Sequence, residues 1–79
     1  MMNSVRLSDL PVGKSCFVQK LHTTGSMRRR LLDIGFTDNA KITCLGRSPA
    51  GDPSAYLVCG AVIALRAADA AGVEVAYGV

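Results

Sequence analysis

The arrangement of residues 26–75 constrains this chain most strongly, because it joins one short basic helix to three short apolar runs. The apolar runs cover residues 41–45, 55–59 and 62–66, and turn-forming glycine or proline residues separate them. Short runs rich in Val, Ile and Leu and bounded by such turns are typical of β-strands. The pattern therefore predicts a mainly β fold, a small barrel with one short helix packed on it.

The helix is predicted over residues 26–34, with Ser26 as its N-cap and Gly35 as its stop. A serine hydroxyl can accept a hydrogen bond from the first helical turn, and glycine adopts positive φ without a Cβ clash. Phe36 follows the stop and is expected to contact Leu31. Three apolar residues recur at helical spacing and are expected to face the barrel: Met27, Leu31 and Ile34.

Three consecutive arginines on this helix account for much of the formal net charge of +3. Arg28 and Arg29 are expected to point mainly outward, whereas Arg30, next to Leu31, is expected to be partly structural. Arg29 and Asp33 are four residues apart, a spacing that allows a weak ion pair worth about 0.3–0.5 kcal/mol. Arg66 is expected to pair with an acidic side chain at the barrel edge. A solvated helix face and a docking surface for a partner both explain the arginines, and the residues alone leave both readings open.

The remaining segments complete the barrel. Residues 7–13 are expected to form an irregular lead into a strand at residues 14–21. A turn at residues 49–53 is longer than a tight hairpin needs, so it is expected to protrude as a flexible tip. Residues 67–71 are predicted to form one helical turn, stopped by glycine, before a last strand at residues 73–75.

Length and composition favour one small domain covering residues 1–79. With 49% hydrophobic residues but only two Tyr, two Phe and no Trp, the core is expected to be aliphatic. The chain carries no apolar run of the roughly 18 residues that a membrane span needs, and residues 1–6 do not look like a secretory signal. We therefore expect a cytosolic protein, monomeric or weakly self-associating.

Cys16, Cys44 and Cys59 are an odd number of cysteines on separate strand-like segments, which predicts buried free thiols rather than disulfides. Together with His22 they could in principle supply four ligands to zinc or iron. Structural zinc sites usually pair their ligands within two to four residues, which these cysteines do not. We expect no metal site and no cofactor, and an exposed loop position for His22.

No complete catalytic set is present. Gly13, Lys14 and Ser15 resemble the end of a phosphate-binding loop, but Ser8 stands where that motif needs its first glycine, and a strand rather than a helix is predicted to follow. The chain also lacks paired carboxylates and a Ser/His/Asp arrangement. An enzyme is therefore not expected.

Several motifs in order resemble the FeoA family, small cytosolic accessory proteins of bacterial ferrous iron uptake. They are Arg30-Leu31-x-Asp33-Ile34-Gly35-Phe36, Pro49-x-Gly51-Asp52-Pro53, Gly60-x-x-Ile63-Ala64-Leu65-Arg66 and Val73-x-Val75. The resemblance covers nearly the whole chain. One departure is Thr37-Asp38-Asn39, where the family typically has proline and glycine, although Asn39 tolerates the positive φ of such a turn.

The resemblance implies an SH3-like β-barrel that docks onto FeoB, the membrane ferrous iron transporter, through its cytosolic region. Such a protein would reach the membrane only through its partner, and no nucleic acid is expected. The contact residues that we select are in the helix and the tip: Arg28, Arg29, Arg30, Pro49, Gly51 and Asp52. The alternative is a nucleic-acid-binding or metal-dependent-repressor-type regulatory module, since small SH3-like barrels also serve in that role.

Overall fold

The computed structural model describes residues 2–78, which form a six-stranded antiparallel sheet and two short α-helices. The strands are β1 (Met2–Arg6), β2 (Ser15–Leu21), β3 (Lys41–Arg47), β4 (Ser54–Val58), β5 (Ala61–Leu65) and β6 (Val73–Gly78). The helices are α1 (Gly25–Ile34) and α2 (Ala67–Ala70), and a 3₁₀ turn covers Leu7–Asp9. The mainly β fold with a helical turn before the last strand is confirmed.

The strands are ordered β1-β6-β2-β3-β4-β5. The sequence did not indicate β1, which pairs with β6 over its whole length, from Met2 opposite Gly78 to Arg6 opposite Glu74. The strand at residues 14–21 is therefore the second strand and not the first. Segment 2–6 shows no alternation that would mark it as a strand, so its structure depends on the edge that β6 offers it.

The core lies on the inward face of the curled sheet. Inward positions alternate along β3 and β4, where Ile42, Cys44, Tyr56 and Val58 are at most 1% exposed. A register shift between Cys44 and Gly46 interrupts the β3–β4 pairing and leaves Leu45 as the extra residue of a bulge. The 3₁₀ turn closes the core with Leu7 and Leu10, as expected for the irregular lead.

Helix α1 begins one residue earlier than predicted, so Ser26 is not its N-cap. Thr24 occupies the cap position with extended backbone, and its side chain makes no capping hydrogen bond. Ser26 is already helical and therefore cannot have the extended conformation that an N-cap residue needs. The helix starts without a side-chain cap, and its attachment to the barrel must compensate.

The end of α1 is as predicted. Gly35 has φ of 127°, and its N–H bonds to the carbonyls of Leu31 and Leu32. The N–H of Phe36 bonds to the carbonyl of Leu31 at 3.0 Å, and the side chains of both residues are completely buried. This is the Schellman arrangement with its hydrophobic contact, and it fixes α1 to the core.

Candidate partner-binding site

The outward side of α1 presents the three predicted arginines to solvent. Arg28 donates a hydrogen bond from Nη1 to the carbonyl of Leu21 at 3.3 Å, so its side chain lies back over the end of β2. Arg28 and Arg29 line a shallow depression of about 330 Å³ with three other residues of the helix, Gly25, Leu32 and Asp33. This part of α1 combines positive charge with one half-exposed leucine.

The predicted ion pair between Arg29 and Asp33 is wrong, and so is the pairing of Arg66 with an acidic side chain. Within residues 2–78 the one ion pair shorter than 4.0 Å joins His22 and Glu74. Both arginines are exposed, where the Coulomb gain of an ion pair is too small to hold two long side chains in place. Their guanidinium groups are therefore available to an external carboxylate.

The tip at residues 49–53 is exposed, as predicted, but it is fastened to the rest of the molecule. The N–H of Ser48 bonds to the carbonyl of Pro53 at 3.0 Å across its base. Asp52 Oδ1 accepts the backbone N–H of Ala67 at 2.8 Å, which links the tip to the first turn of α2. Asp52 thus has a structural role, in contrast to the free loop that the sequence suggested.

The structure does not bring the six predicted contact residues into one site. Arg30 of α1 and Pro53 at the base of the tip line one depression of about 220 Å³, which we call the arginine depression; its other lining residues are Met27, Ala64, Leu65, Arg66 and Asp69. Arg28 and Arg29 line the neighbouring depression instead, and Pro49 and Gly51 line neither. Sequence reasoning did not place Arg66 beside Arg30, because the two positions are 36 residues apart by their numbers.

A polar cluster lies on another side of the barrel, where the end of β2 meets β1 and β6. His22 Nε2 and Glu74 Oε1 are 2.8 Å apart, and Ser4 Oγ donates to Glu74 Oε2 at 2.8 Å. The hydrogen bond with His22, and then the one from Ser4, lower the pKa of Glu74 below its ordinary value. His22 is exposed in a loop, as predicted. Its ring and the hydroxyl of Ser4 both form hydrogen bonds with the carboxylate of Glu74.

The cysteines differ from the prediction at one position. Cys16 and Cys44 are buried, whereas Cys59 is exposed. Cys59 belongs to the turn between β4 and β5 and has φ of 50°, so the alternation of β4 no longer determines its direction. Burial raises the pKa of Cys16 to about 11, which keeps it a thiol rather than a metal-binding thiolate. Among the described residues, no three His, Cys, Asp or Glu side chains are grouped to hold a metal ion.

The segment that resembles the end of a phosphate-binding loop, residues 13–15, forms hydrogen bonds with β3. The N–H of Gly13 bonds to the carbonyl of Cys44 at 2.7 Å. Ser15 begins β2, and its hydroxyl lies 2.7 Å from the hydroxyl of Thr43 in β3. A strand therefore follows this segment, and its polar groups are occupied by neighbouring strands rather than turned toward a phosphate.

The FeoA domain family model matches residues 5–77. The chain belongs to the FeoA family. In a search of curated proteins it is 34% identical over 71 residues to an Fe(2+) transport protein A/Fe(2+) transporter FeoB fusion protein of Porphyromonas gingivalis. The alignment covers 90% of this chain and 8% of that relative, so the chain corresponds to a small part of the curated relative's length.

Solved structures of FeoA proteins have the same fold as this chain. The FeoA protein of Chlorobium tepidum is 31% identical, with a TM-score of 0.88 over 95% of this chain and 71% of that chain. Stenotrophomonas maltophilia FeoA, a prokaryotic SH3-domain protein solved in complex with zinc, is 32% identical, with a TM-score of 0.75 over 90% and 88% of the two chains. The SH3-like fold predicted from the sequence is therefore confirmed.

The fold extends beyond the family. A manganese-dependent transcriptional repressor superimposes with a TM-score of 0.84 over 99% of this chain and 44% of that chain, at 16% identity. Identity this low shows a shared fold alone. Separately, neither helix of residues 2–78 is long and apolar enough to cross a bilayer.

Proposed function

We propose that this chain is a non-enzymatic accessory protein of bacterial ferrous iron uptake that docks onto the cytosolic region of a FeoB-type transporter. The observation that carries the proposal is the Porphyromonas gingivalis relative, in which a homologous segment is fused to FeoB. A fusion holds two domains at an effective concentration of about the millimolar range. A separate chain lacks that tether, so it needs a surface that recognises the transporter.

The helix α1 supplies a suitable charged surface. Arg28, Arg29 and Arg30 are exposed and adjacent in sequence, and they have no ion-pair partner within 4.0 Å in residues 2–78. Exposed arginines accelerate association with an acidic surface and fix its orientation. The expected partner surface is therefore rich in Asp and Glu.

The tip at residues 49–53 supplies the second proposed contact. Pro49 and Gly51 are exposed at its end, while Asp52 is held by the N–H of Ala67. A surface segment that is anchored at its base loses less conformational freedom on binding than a free loop does. In this proposal the chain acts in the cytoplasm, binds no cofactor of its own and reaches the membrane only through the transporter.

The charge reversal Arg28→Glu with Arg29→Glu tests the helix. Binding to the purified cytosolic region of the transporter from the same bacterium should fall by about tenfold or more, because two attractions become repulsions. The wild-type interaction should also weaken as salt rises, since salt screens exposed charges. The matched control is Arg6→Glu with Lys20→Glu, which makes the same change in net charge on exposed positions of β1 and β2.

A folded Arg28/Arg29 variant that binds the transporter region as well as the wild type does would remove α1 from the interface. Absence of binding by the wild type would remove the docking proposal itself. The alternative function is tested with the same proteins, because duplex DNA or RNA that binds the wild type and not the double variant would favour the regulatory module.

A further inference from the structure

Large apolar side chains are concentrated on the outward face of β3, β4 and β5. Leu45 is 45% exposed, Leu57 is 37% exposed and Val62 is 64% exposed. The neighbouring residues of these strands point inward and form the core, so large apolar side chains occur on both faces of the three strands, although the outward face also carries Lys41 and Thr43. Clustered exposed apolar side chains, unlike scattered ones, mark a surface for interaction.

The strand register places a row of small residues beside these large ones. Ala55 of β4 lies opposite Gly46 of β3 and opposite Ala64 of β5, while Leu57 lies opposite Val62 in the next row on the same face. The small row is the floor of a shallow trough of about 380 Å³. We call this concavity the trough; its other lining residues are Leu45, Arg47, Ser48, Pro53 and Ser54.

Hydrogen bonds hold one wall of the trough. Arg47 donates from Nη1 to Ser54 Oγ at 2.7 Å and from Nη2 to the carbonyl of Leu10 at 2.8 Å. Its guanidinium is therefore occupied by the protein itself. The surface that remains in the trough is mainly apolar, which suits an aliphatic side chain.

One end of the trough is positively charged. Ala64 and Pro53 line both the trough and the arginine depression, so the two concavities are adjacent. The arginine depression contains Arg30 and Arg66, neither of which has an ion-pair partner within 4.0 Å in the described chain, and a single acidic residue, Asp69. Two cations against one anion leave this end suited to a carboxylate.

We propose that the trough binds a short partner segment in which an aliphatic side chain is adjacent to Asp or Glu. The aliphatic group occupies the floor formed by Ala55 and Ala64, and the carboxylate reaches Arg30 and Arg66. Arginine binds carboxylates through paired N–H donors, which gives the segment a defined direction along the trough. The assignment of that segment to the transporter's cytosolic region rests on the proposed function.

The chemistry of the segment can be tested without the transporter. A random peptide library is selected on the immobilised protein, and the affinity of an enriched peptide is measured by fluorescence anisotropy. Enriched peptides should carry Leu, Ile or Val next to Asp or Glu. Ala64→Glu, and separately Arg30→Glu with Arg66→Glu, should weaken binding by about tenfold or more, because each change opposes the carboxylate.

Matched controls separate the trough from general effects of charge. Ala61→Glu makes the same substitution at an exposed residue of β5 that does not line the trough, and Arg6→Glu with Lys20→Glu reverses two exposed charges on β1 and β2. Both controls should bind the peptide within about twofold of the wild type, since exposed charges outside the contact are screened. Circular dichroism and urea unfolding establish that each variant is folded.

Enriched peptides without an acidic residue would overturn the proposal, as would peptides that bind the folded Ala64→Glu variant with wild-type affinity. A concentration-dependent dimer that Ala64→Glu abolishes would also overturn it, because the occupant would be a second copy of this chain. The transporter region then tests the assignment separately. If the transporter region binds the wild type and Ala64→Glu equally, the trough is not the contact with the transporter, and the proposed function stands. If the wild type binds the peptide but not the transporter region, only the proposed partner is excluded.

Discussion

Both faces of β3, β4 and β5 carry large apolar side chains, but in opposite environments. On the inward face, Ile42, Cys44 and Tyr56 are at most 1% exposed. On the outward face, Leu45, Leu57 and Val62 are between 37% and 64% exposed. Burial of apolar area contributes about 25 cal/mol per Å², so the inward face supplies most of the stability of this region.

Hydrophobicity alone therefore does not identify the function of a residue in this chain. The inward side chains are needed to fold the protein, and their replacement should be costly wherever the partner is. The outward side chains gain less from folding, because more than a third of each remains in water. Substitutions there should leave the fold intact and affect recognition, a contrast that experiments can examine position by position.

The largest expected effect is that of Gly35→Val at the end of α1. A Cβ at this position would lie 2.7 Å from Cys59 Sγ and 3.2 Å from Val58 Cγ1, and the residue has φ of 127°. Backbone strain of about 1–3 kcal/mol and overpacking of a similar size should together destabilise the fold by about 2–6 kcal/mol. Gly46→Val is the control on the outward face, because a Cβ there meets no atom within 4 Å. Equal urea midpoints for the two variants would contradict this assignment.

The next effect compares two positions on one strand. Ile42→Ala removes a completely buried side chain and should lower the free energy of unfolding by about 2–5 kcal/mol. Leu45→Ala removes a half-exposed side chain and should cost less than about 1 kcal/mol. Urea unfolding measures both. A costly Leu45 variant would show that the outward face also stabilises the barrel.

The three cysteines report on the same contrast through their reactivity. In the folded protein a thiol reagent should modify Cys59 rapidly and leave Cys16 and Cys44 unmodified, because these two are buried and the pKa of Cys16 is raised to about 11. Mass spectrometry of intact protein should show one modification without denaturant and three in urea. Rapid labelling at Cys44 would indicate that the inward face opens readily.

The smallest effect concerns Glu74, which lies at the other end of the molecule. Its pKa is lowered in the folded state, so its contribution to stability is present above the ordinary glutamate value of 4.5 and is lost as pH falls through the folded value. The urea midpoint of Glu74→Gln should therefore fall less than that of the wild type between neutral and acidic pH. Identical pH profiles would show that the bonds from His22 and Ser4 do not stabilise the fold.

Much of the fold could be predicted because its signals are local. The end of α1 depends on one glycine followed by Phe36, and the strands around Ile42 and Tyr56 depend on alternation within a few residues. The exposure of Arg28 and Arg29 was predicted in the same way, from their place on the helix opposite Leu31, whereas Arg30 is more exposed than its place beside Leu31 suggested. The start of α1 was placed one residue late because Ser26 and Thr24 are both acceptable cap residues.

Where turn residues and periodicity are strong, the amino-acid pattern is sufficient to assign strands and helices, and the consecutive arginines are sufficient to assign the charge of α1. The exposure of Cys59 follows from its turn, where the residue has φ of 50°. That segment 2–6 is a strand, and that Arg30 lines one depression with Arg66 and Pro53, is visible only in the folded protein. The physical reason is distance along the chain. These features arise from pairing and packing between residues far apart in sequence, and no local propensity encodes which distant segment will be the neighbour.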